Sequence, residues 1–308
     1  MGILEPGSPE LRIVERAAFP ELAALVHDDD EPHALALVAN FISFLFFFDD
    51  MVDSAESDVG TDSSLTRLIA DRMMAGVRGR SVTVGAPALP LTREDRARID
   101  ALQRMLADIS HRLRAYTPRI EPFIETVGEY LDGVVDEAHL RGLGIGFSTV
   151  EFYSDLRVLV SGVRPCLDLG AIVRGIEVPP ALRETEAFAR ARRACNLNCS
   201  YVNDLFSYKK EALMGEASNV VMVLEQAGVA HNMRDTLNDA CGLTSRTVLD
   251  YLAASRELDD SDAGTRGYLR LMQNWMRGNL DWCLEANHRY VEASSTSLAD
   301  MQVNSLSL

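Results

Sequence analysis

The last proline in this chain of 308 residues is Pro180. The 128 residues that follow contain nothing that removes an amide donor from a helix interior, so they are free to form long unbroken helices. Before Pro180 the prolines act as punctuation, often beside glycine, as in GAPALP at 85–90 and GIEVPP at 175–180. Between these marks Leu, Ala, Arg and Glu recur at helical spacing, and the alternating Val/Ile/Thr runs of a half-buried strand are nearly absent. SVTVG at 81–85 is the one strand-like run, and its Gly/Pro surroundings make it a loop. The pattern predicts about ten helices. Breaks are expected at 54–64, 79–90, 141–148, 175–180 and 256–267, and near Gly215 and Gly228. Thr92 with Asp95 and Ser148 with Glu151 have capping-box spacing, which predicts helix starts there. No biased linker or internal repeat divides the chain, so a single all-α helical bundle is expected.

Charge narrows the partners. Thirty Lys and Arg against 46 Asp and Glu give a net charge of −16. That field repels phosphate backbones and anionic membrane surfaces, so no nucleic acid or membrane partner is expected. With 47% hydrophobic residues the chain is not of disordered composition. Its five cysteines, at 166, 195, 199, 241 and 283, show neither CxxC spacing nor an even count, which suits reduced, mostly buried thiols in a cytoplasmic protein. The start, MGILEPGSPEL, carries no apolar leader, and Pro6 occupies the position where a myristoylation signal needs Ser or Thr. The most apolar run, Ala34 to Phe48, is 15 residues long, short of the ~20 that span a bilayer, and it ends in Asp49.

Four constellations stand out. FFFDDMVD at 46–53 sets Asp49, Asp50 and Asp53 at the end of that apolar helix. Asp49 and Asp53 share one face, and the negative pole of the helix end worsens their mutual repulsion, so the group calls for a cation such as Mg²⁺. NDLFSYKKE at 203–211 repeats Asn203, Ser207 and Glu211 every fourth residue, lining up three hard oxygen donors beside Lys210. Asn196 and Cys199 extend the same stripe. Arg157 precedes Ser161, Gly162 and Pro165 within one helical pattern, which predicts a break or kink. Trp275, Trp282 and Arg289 are spaced by seven, with Tyr290 adjacent. Each constellation has a plain alternative: an acidic helix exit, a solvated helix face, an ordinary kink, core tryptophans.

In this order and separation the four resemble the motifs of bacterial class I terpene synthases. DDMVD is similar to their aspartate-rich DDxxD, and NDLFSYKKE to their NDxxSxxKE. Arg157, 46 residues before Asn203, stands where the family places a diphosphate-sensing arginine, and Arg289-Tyr290 resembles the C-terminal RY pair. The resemblance spans about residues 30 to 295. It implies a class I terpenoid synthase fold around a deep apolar pocket, with about three Mg²⁺ ions holding an isoprenoid diphosphate at the mouth. Asp49 and Asp50 would hold two of the ions, and Asn203, Ser207 and Glu211 the third, with Asp53 behind the ligands. Arg157, Lys210, Arg289 and Tyr290 would bind the diphosphate. Phe46, Ser161, Gly162, Trp275 and Trp282 would line the pocket, and a homodimer is the implied assembly. Only 48 residues precede the aspartate motif, so the N-terminal capping helix, within residues 1–30, is expected to be short or missing.

The chemistry implied is ionisation and cyclisation of farnesyl or geranylgeranyl diphosphate. An elongating prenyl synthase is the nearest rival, but it would carry a second DDxxD, and Asp259-Asp260-Ser261-Asp262 lacks that spacing. A non-catalytic acidic helical binding protein is the rival from another class. It leaves the periodic oxygen donors and the Arg–Tyr pair unexplained.

Overall fold

A computed structural model of the chain describes residues 15, 17–27, 31–52, 58–80, 91–215, 217–228, 232–258 and 262–286. Among these residues are thirteen α-helices and no strand. The first half contains α1 (Phe19–Val26), α2 (Pro32–Val52), α3 (Asp58–Thr61), α4 (Ser63–Val77), α5 (Arg93–Leu113) and α6 (Glu121–Gly142). The middle contains α7 (Val150–Val160), α8 (Val163–Val173) and α9 (Pro180–Arg183). Then follow α10 (Glu186–Met214), α11 (Val220–Gln226), α12 (Met233–Arg256) and α13 (Ala263–Asp281), which runs into a π-helical turn at Trp282–Ala286. The count exceeds the sequence expectation because one-turn helices, α3 and α9, sit inside the 54–64 and 175–185 connections. The proline-free half does contain the longest helix, the 29 residues of α10.

Start and stop signals explain most boundaries. Thr92 Oγ1 accepts from the Asp95 amide at 3.1 Å, as its spacing predicts. The second cap lies one residue later than the sequence pattern places it. Thr149, not Ser148, accepts from the Phe152 amide at 3.1 Å and opens α7. Its hydroxyl serves as well as serine's. Gly215 closes α10 in the left-handed region, φ 72°. Asp262 caps α13 through the Thr265 amide at 2.8 Å, which accounts for its place in the acidic stretch before that helix. The SVTVG segment, Asp53, Asp259, Asp260 and the Arg289-Tyr290 pair lie outside the described residues.

Helices α1, α2, α8, α10 and α13 close into a ring, each packed on the next, and α6 and α7 complete the wall. Helix α2 shows why its sequence is apolar nearly all round. One side, with Leu37, Val38, Phe41, Phe44 and Phe48, is buried in the protein core. Another, with Ile42, Leu45 and Phe46, lines the cavity inside the ring. By length and composition alone the helix is apolar enough to cross a bilayer. Burial on two sides accounts for the same composition.

The short α1 is held by the C-terminal helix. Trp282 is fully buried and donates its indole N–H to the carbonyls of Ala17 and Ala18 at 2.9 and 3.1 Å. Phe46 stacks on Phe19 with ring centroids 4.5 Å apart and meets Trp282 at 5.9 Å. Trp275 meets His27 edge-on at 6.3 Å. Gly278, between the tryptophans, lets the two backbones touch. A Cβ there would lie 2.7 Å from the Leu25 carbonyl oxygen and 2.8 Å from its carbon. The Trp-x₂-Gly-x₃-Trp stretch is therefore the seat of α1.

The five cysteines are free thiols; Cys241 is exposed and the other four are buried. Burial pushes the thiols of Cys166 and Cys283 upward, the latter to about 12, and a hydrogen bond with Cys195 together with burial raises that of Cys199. A thiol-specific disulfide reagent at pH 8 is expected to titrate one thiol in the native protein and five after denaturation. Rapid reaction of two or more in the native state would contradict this packing. Gly278→Ala is expected to lower the melting temperature by roughly 2–10 °C, because the clash is with backbone that cannot rotate away. An unchanged melting temperature would show that α1 does not sit so tightly.

Candidate active site

The ring surrounds a cleft of about 690 Å³, counting the open solvent at its mouth. Its apolar wall includes Leu22, Ile42, Leu45, Val160, Val163 and Trp282. Phe46, Ser161, Gly162 and Trp275 are also in the lining. At the polar end, Asp49 from α2, Arg157 from α7 and Asn203 from α10 line the same space. Asp50, one residue on, is exposed and lies outside the cavity lining. Ser207 is fully buried, and Lys210 and Glu211 are half-buried further along α10.

The two acidic faces sit in matching electrostatic positions. Asp49 lies three residues before the end of α2, and Glu211 three before the end of α10. Each carboxylate is thus placed at the negative pole of a helix, the unfavourable end for it. Arg141 offsets part of this at α2, donating to the carbonyls of Val52 and Gly60, each at 2.9 Å. Arg141 also pairs with Glu137 at 3.7 Å, and Glu137 accepts from Ser218 at 2.5 Å. This short polar chain runs from the end of α2 to the loop after α10.

Arg157 is the cation between them. It donates to Asp204 Oδ1 at 2.9 Å and to Asn203 Oδ1 at 3.2 Å. Asp204 is fully buried. Its other oxygen accepts from the Tyr153 hydroxyl at 2.5 Å and from the Val220 amide at 3.1 Å. Burial drives the Asp204 carboxyl above its ordinary range, against the pull of Arg157 and Tyr153. Burial works to lower Arg157, but the charges of Asp204, Glu211 and Asp49 outweigh it and hold the guanidinium charged. The contribution of Glu211 and Asp49 means that both acidic faces are felt at this one cation. Its Nε–H, buried, finds no acceptor among the described residues.

Asn219 was not among the residues that the sequence singled out. Its amide donates to the Asp204 carbonyl and to Glu211 Oε2, both at 2.8 Å. Its oxygen caps α11 through the Val221 amide at 2.9 Å. The loop after α10 thus folds back and orients Glu211. Asp204 was visible as the second residue of NDLFSYKKE, but it lies a hundred degrees round the helix from Asn203. That it faces the protein, and holds Arg157, depends on what packs there. Neither Tyr153 nor Asn219 carries a sequence signal for its role.

Oxygen donors dominate this end: the carboxylates of Asp49 and Glu211, the amide of Asn203 and the hydroxyl of Ser207. Hard cations such as Mg²⁺ prefer that chemistry, and thiolate or imidazole metals do not. Among the described residues no three His, Cys, Asp or Glu side chains converge on one point. The donors that do recur along α10 include an amide and a hydroxyl.

The profile of one protein family, described as terpene synthase family 2, C-terminal metal binding, matches residues 40–253. The chain belongs to this family. It is a class I terpene synthase, a lyase that ionises and cyclises an isoprenoid diphosphate, and its family implies a divalent metal cofactor. The α-muurolene synthase of Coprinopsis cinerea is 25% identical over 300 residues, which cover 93% of this chain and 67% of that protein. The (+)-T-muurolol synthase of Roseiflexus castenholzii, named as cyclising (2E,6E)-farnesyl diphosphate, is 28% identical, covering 88% of this chain and 80% of that one. The crystal structure of an α-eudesmol synthase aligns with a TM-score of 0.72 at 19% identity, covering 92% of this chain and 89% of that one. Germacradien-4-ol synthase from Streptomyces citricolor aligns at 0.67 and 22%, covering 85% and 82%. These likenesses confirm the all-α class I fold of this synthase.

The buried ion pair is open to a stability test. Asp204→Ala leaves the Arg157 charge uncompensated and is expected to cost ~3–5 kcal/mol in urea unfolding. Tyr153→Phe removes one hydroxyl and is expected to cost ~1–2 kcal/mol. Equal losses in the two variants would mean that the charge pair carries no special weight.

Proposed function

We propose that this terpene synthase acts on farnesyl diphosphate, with Mg²⁺ as its metal. The observation that carries the site assignment is that Asp49 and Asn203, 154 residues apart in sequence, meet Arg157 at the polar end of one apolar cavity. The farnesyl chain length is supported by relatives whose names state that substrate, including a 7-epi-α-eudesmol synthase of Streptomyces viridochromogenes, 24% identical.

In this reading Asp49 and Asp50 on α2, and Asn203, Ser207 and Glu211 on α10, hold the metal. Bound Mg²⁺, about three ions, supplies the positive charge that lets diphosphate leave with the bonding electron pair. Arg157 donates to the diphosphate from its fixed place against Asp204, and Lys210 adds a second cation. Arg289 and Tyr290 are proposed to close over the same group, and Asp53 to support the aspartate ligands. The allylic C–O bond breaks heterolytically, leaving a carbocation in the cavity. A distal double bond of the chain then supplies two electrons to form the ring, and the new carbocation is discharged by loss of a proton. Water would intercept such a cation, so Leu22, Ile42, Leu45 and Val160 serve by excluding it. The faces of Phe46, Trp275 and Trp282 stabilise positive charge without forming a bond to it.

Incubation with geranyl, farnesyl and geranylgeranyl diphosphates, with products resolved by gas chromatography–mass spectrometry, tests the reading. Farnesyl diphosphate is expected to give cyclic C15 products with a kcat/KM on the order of tenfold or more above the others, and chelator to abolish turnover. Preference for geranylgeranyl diphosphate would refute the chain length. Asp49→Ala and Asn203→Ala are each expected to lower kcat by ~10²–10³-fold with the helical spectrum intact. Full activity in either would refute that ligand assignment.

A further inference from the structure

Helices α7 and α8 belong to one continuous pattern broken at Ser161-Gly162. Gly162 takes a left-handed conformation, φ 70°, and a Cβ there would lie 2.7 Å from Leu45 Cδ1 of α2. The break is part of the cavity wall: Val160, Ser161, Gly162 and Val163 all line it, with Arg157 one turn earlier. At such a break the last carbonyls of one helix lose their amide partners, and the first amides of the next have none.

One side chain from another helix answers both needs. Asn196 on α10 is fully buried. Its Nδ2 donates to the Val158 carbonyl at 3.0 Å, an acceptor near the end of α7. Its Oδ1 accepts from Ser161 Oγ at 3.0 Å and from Ser200 Oγ at 3.3 Å. The same Ser161 hydroxyl accepts from the Val163 amide at 3.3 Å, the first residue of α8. Asn196 thus fastens the end of α7 directly and the start of α8 through Ser161. Its position seven residues before Asn203 places both on one side of α10. Ser200, which steadies it, itself faces the cavity.

We propose that Asn196 is a positioning residue for cyclisation, which fixes the broken wall segment against which the cationic chain folds. This rests on the cyclase reading. Arg157 is anchored separately, by Asp204 and Asn203, so the diphosphate end does not depend on Asn196 for its cation. Loss of Asn196 therefore alters where the cation is held more than how fast it forms. A displacement of about 1 Å at a reacting centre changes competing rates by up to ~10²-fold.

The test uses the full chain with farnesyl diphosphate and Mg²⁺, and reads product distribution and diphosphate release in parallel. Asn196→Ala and Ser161→Ala are expected to raise the share of linear and prematurely quenched products on the order of tenfold, with a smaller change in diphosphate release. Asn198→Ala is the control. It is buried on the same helix but turned to α12, where it donates to Thr247 Oγ1 at 3.0 Å and to the Thr244 carbonyl at 3.3 Å. An unchanged product profile in Asn196→Ala overturns the assignment. So does an equal shift in Asn198→Ala, which would mean general loosening. Should Asn196→Ala fail to fold, Ser161→Ala decides alone, because it removes one hydroxyl from the same clamp. Wild-type protein that yields no cyclic product would instead defeat the cyclase reading, before any variant is compared.

Discussion

Asp204 is a buried carboxylate that cannot be left alone. Moving such a charge out of water costs several kcal/mol, and the attraction of a partner repays that only when its remaining lone pairs are filled. Here they are filled by Arg157 and Tyr153 from α7 and by the Val220 amide at the start of α11. The requirement ties α7, α10 and α11 into one arrangement. Because Asp204 fixes the guanidinium, Arg157 is held in the cavity wall. Because the loop after α10 must return Val220 to Asp204, Asn219 comes to rest against Glu211. The polar end of the site is thus a consequence of satisfying one buried charge. A second buried carboxylate, Asp168 on α8, is treated the same way, by Arg192 of α10 at 2.8 Å and Tyr268 of α13 at 3.2 Å. The two knots hold α10 against opposite neighbours and leave the apolar cavity beside it.

Electrostatically the site is unfinished without a cation. Carboxylates stand near the negative ends of two helices, within reach of a single arginine that is already paired. The chain's net charge of −16 gives no general attraction for an anionic substrate. The anion is instead accommodated locally, by a metal and a few placed donors, while the overall charge serves solubility. Acidity in the fold and affinity for diphosphate are therefore compatible.

Much of this was legible in the sequence where the governing physics is local. Helix content follows from hydrophobic period and from the proline-free half. The oxygen donors of α10 could be read as a row because a helix places every fourth residue on one face. The break at Ser161-Gly162 announced itself through Gly and Pro, since a glycine is needed where the backbone turns left-handed. Local signals also misled by one residue at Ser148, where two adjacent hydroxyls could each cap and Thr149 is the one that does.

What the sequence by itself determined is the set of helices and the rows of chemistry each one carries. The tertiary structure alone decided which rows meet. Asp204 and Asn203 are neighbours in the chain and both accept from Arg157, yet one is fully buried and the other lines the cavity. Asn196 lies in the same polar stripe as the proposed ligands, yet its amide is spent on the backbone of a broken helix. Gly278 sits in a helix that favours alanine, and only the approach of Leu25 explains it. A side chain's row is set by the 100° turn per residue, which is a property of its own helix. Its partner is set by packing between helices distant in sequence, and no spacing within one of them encodes that.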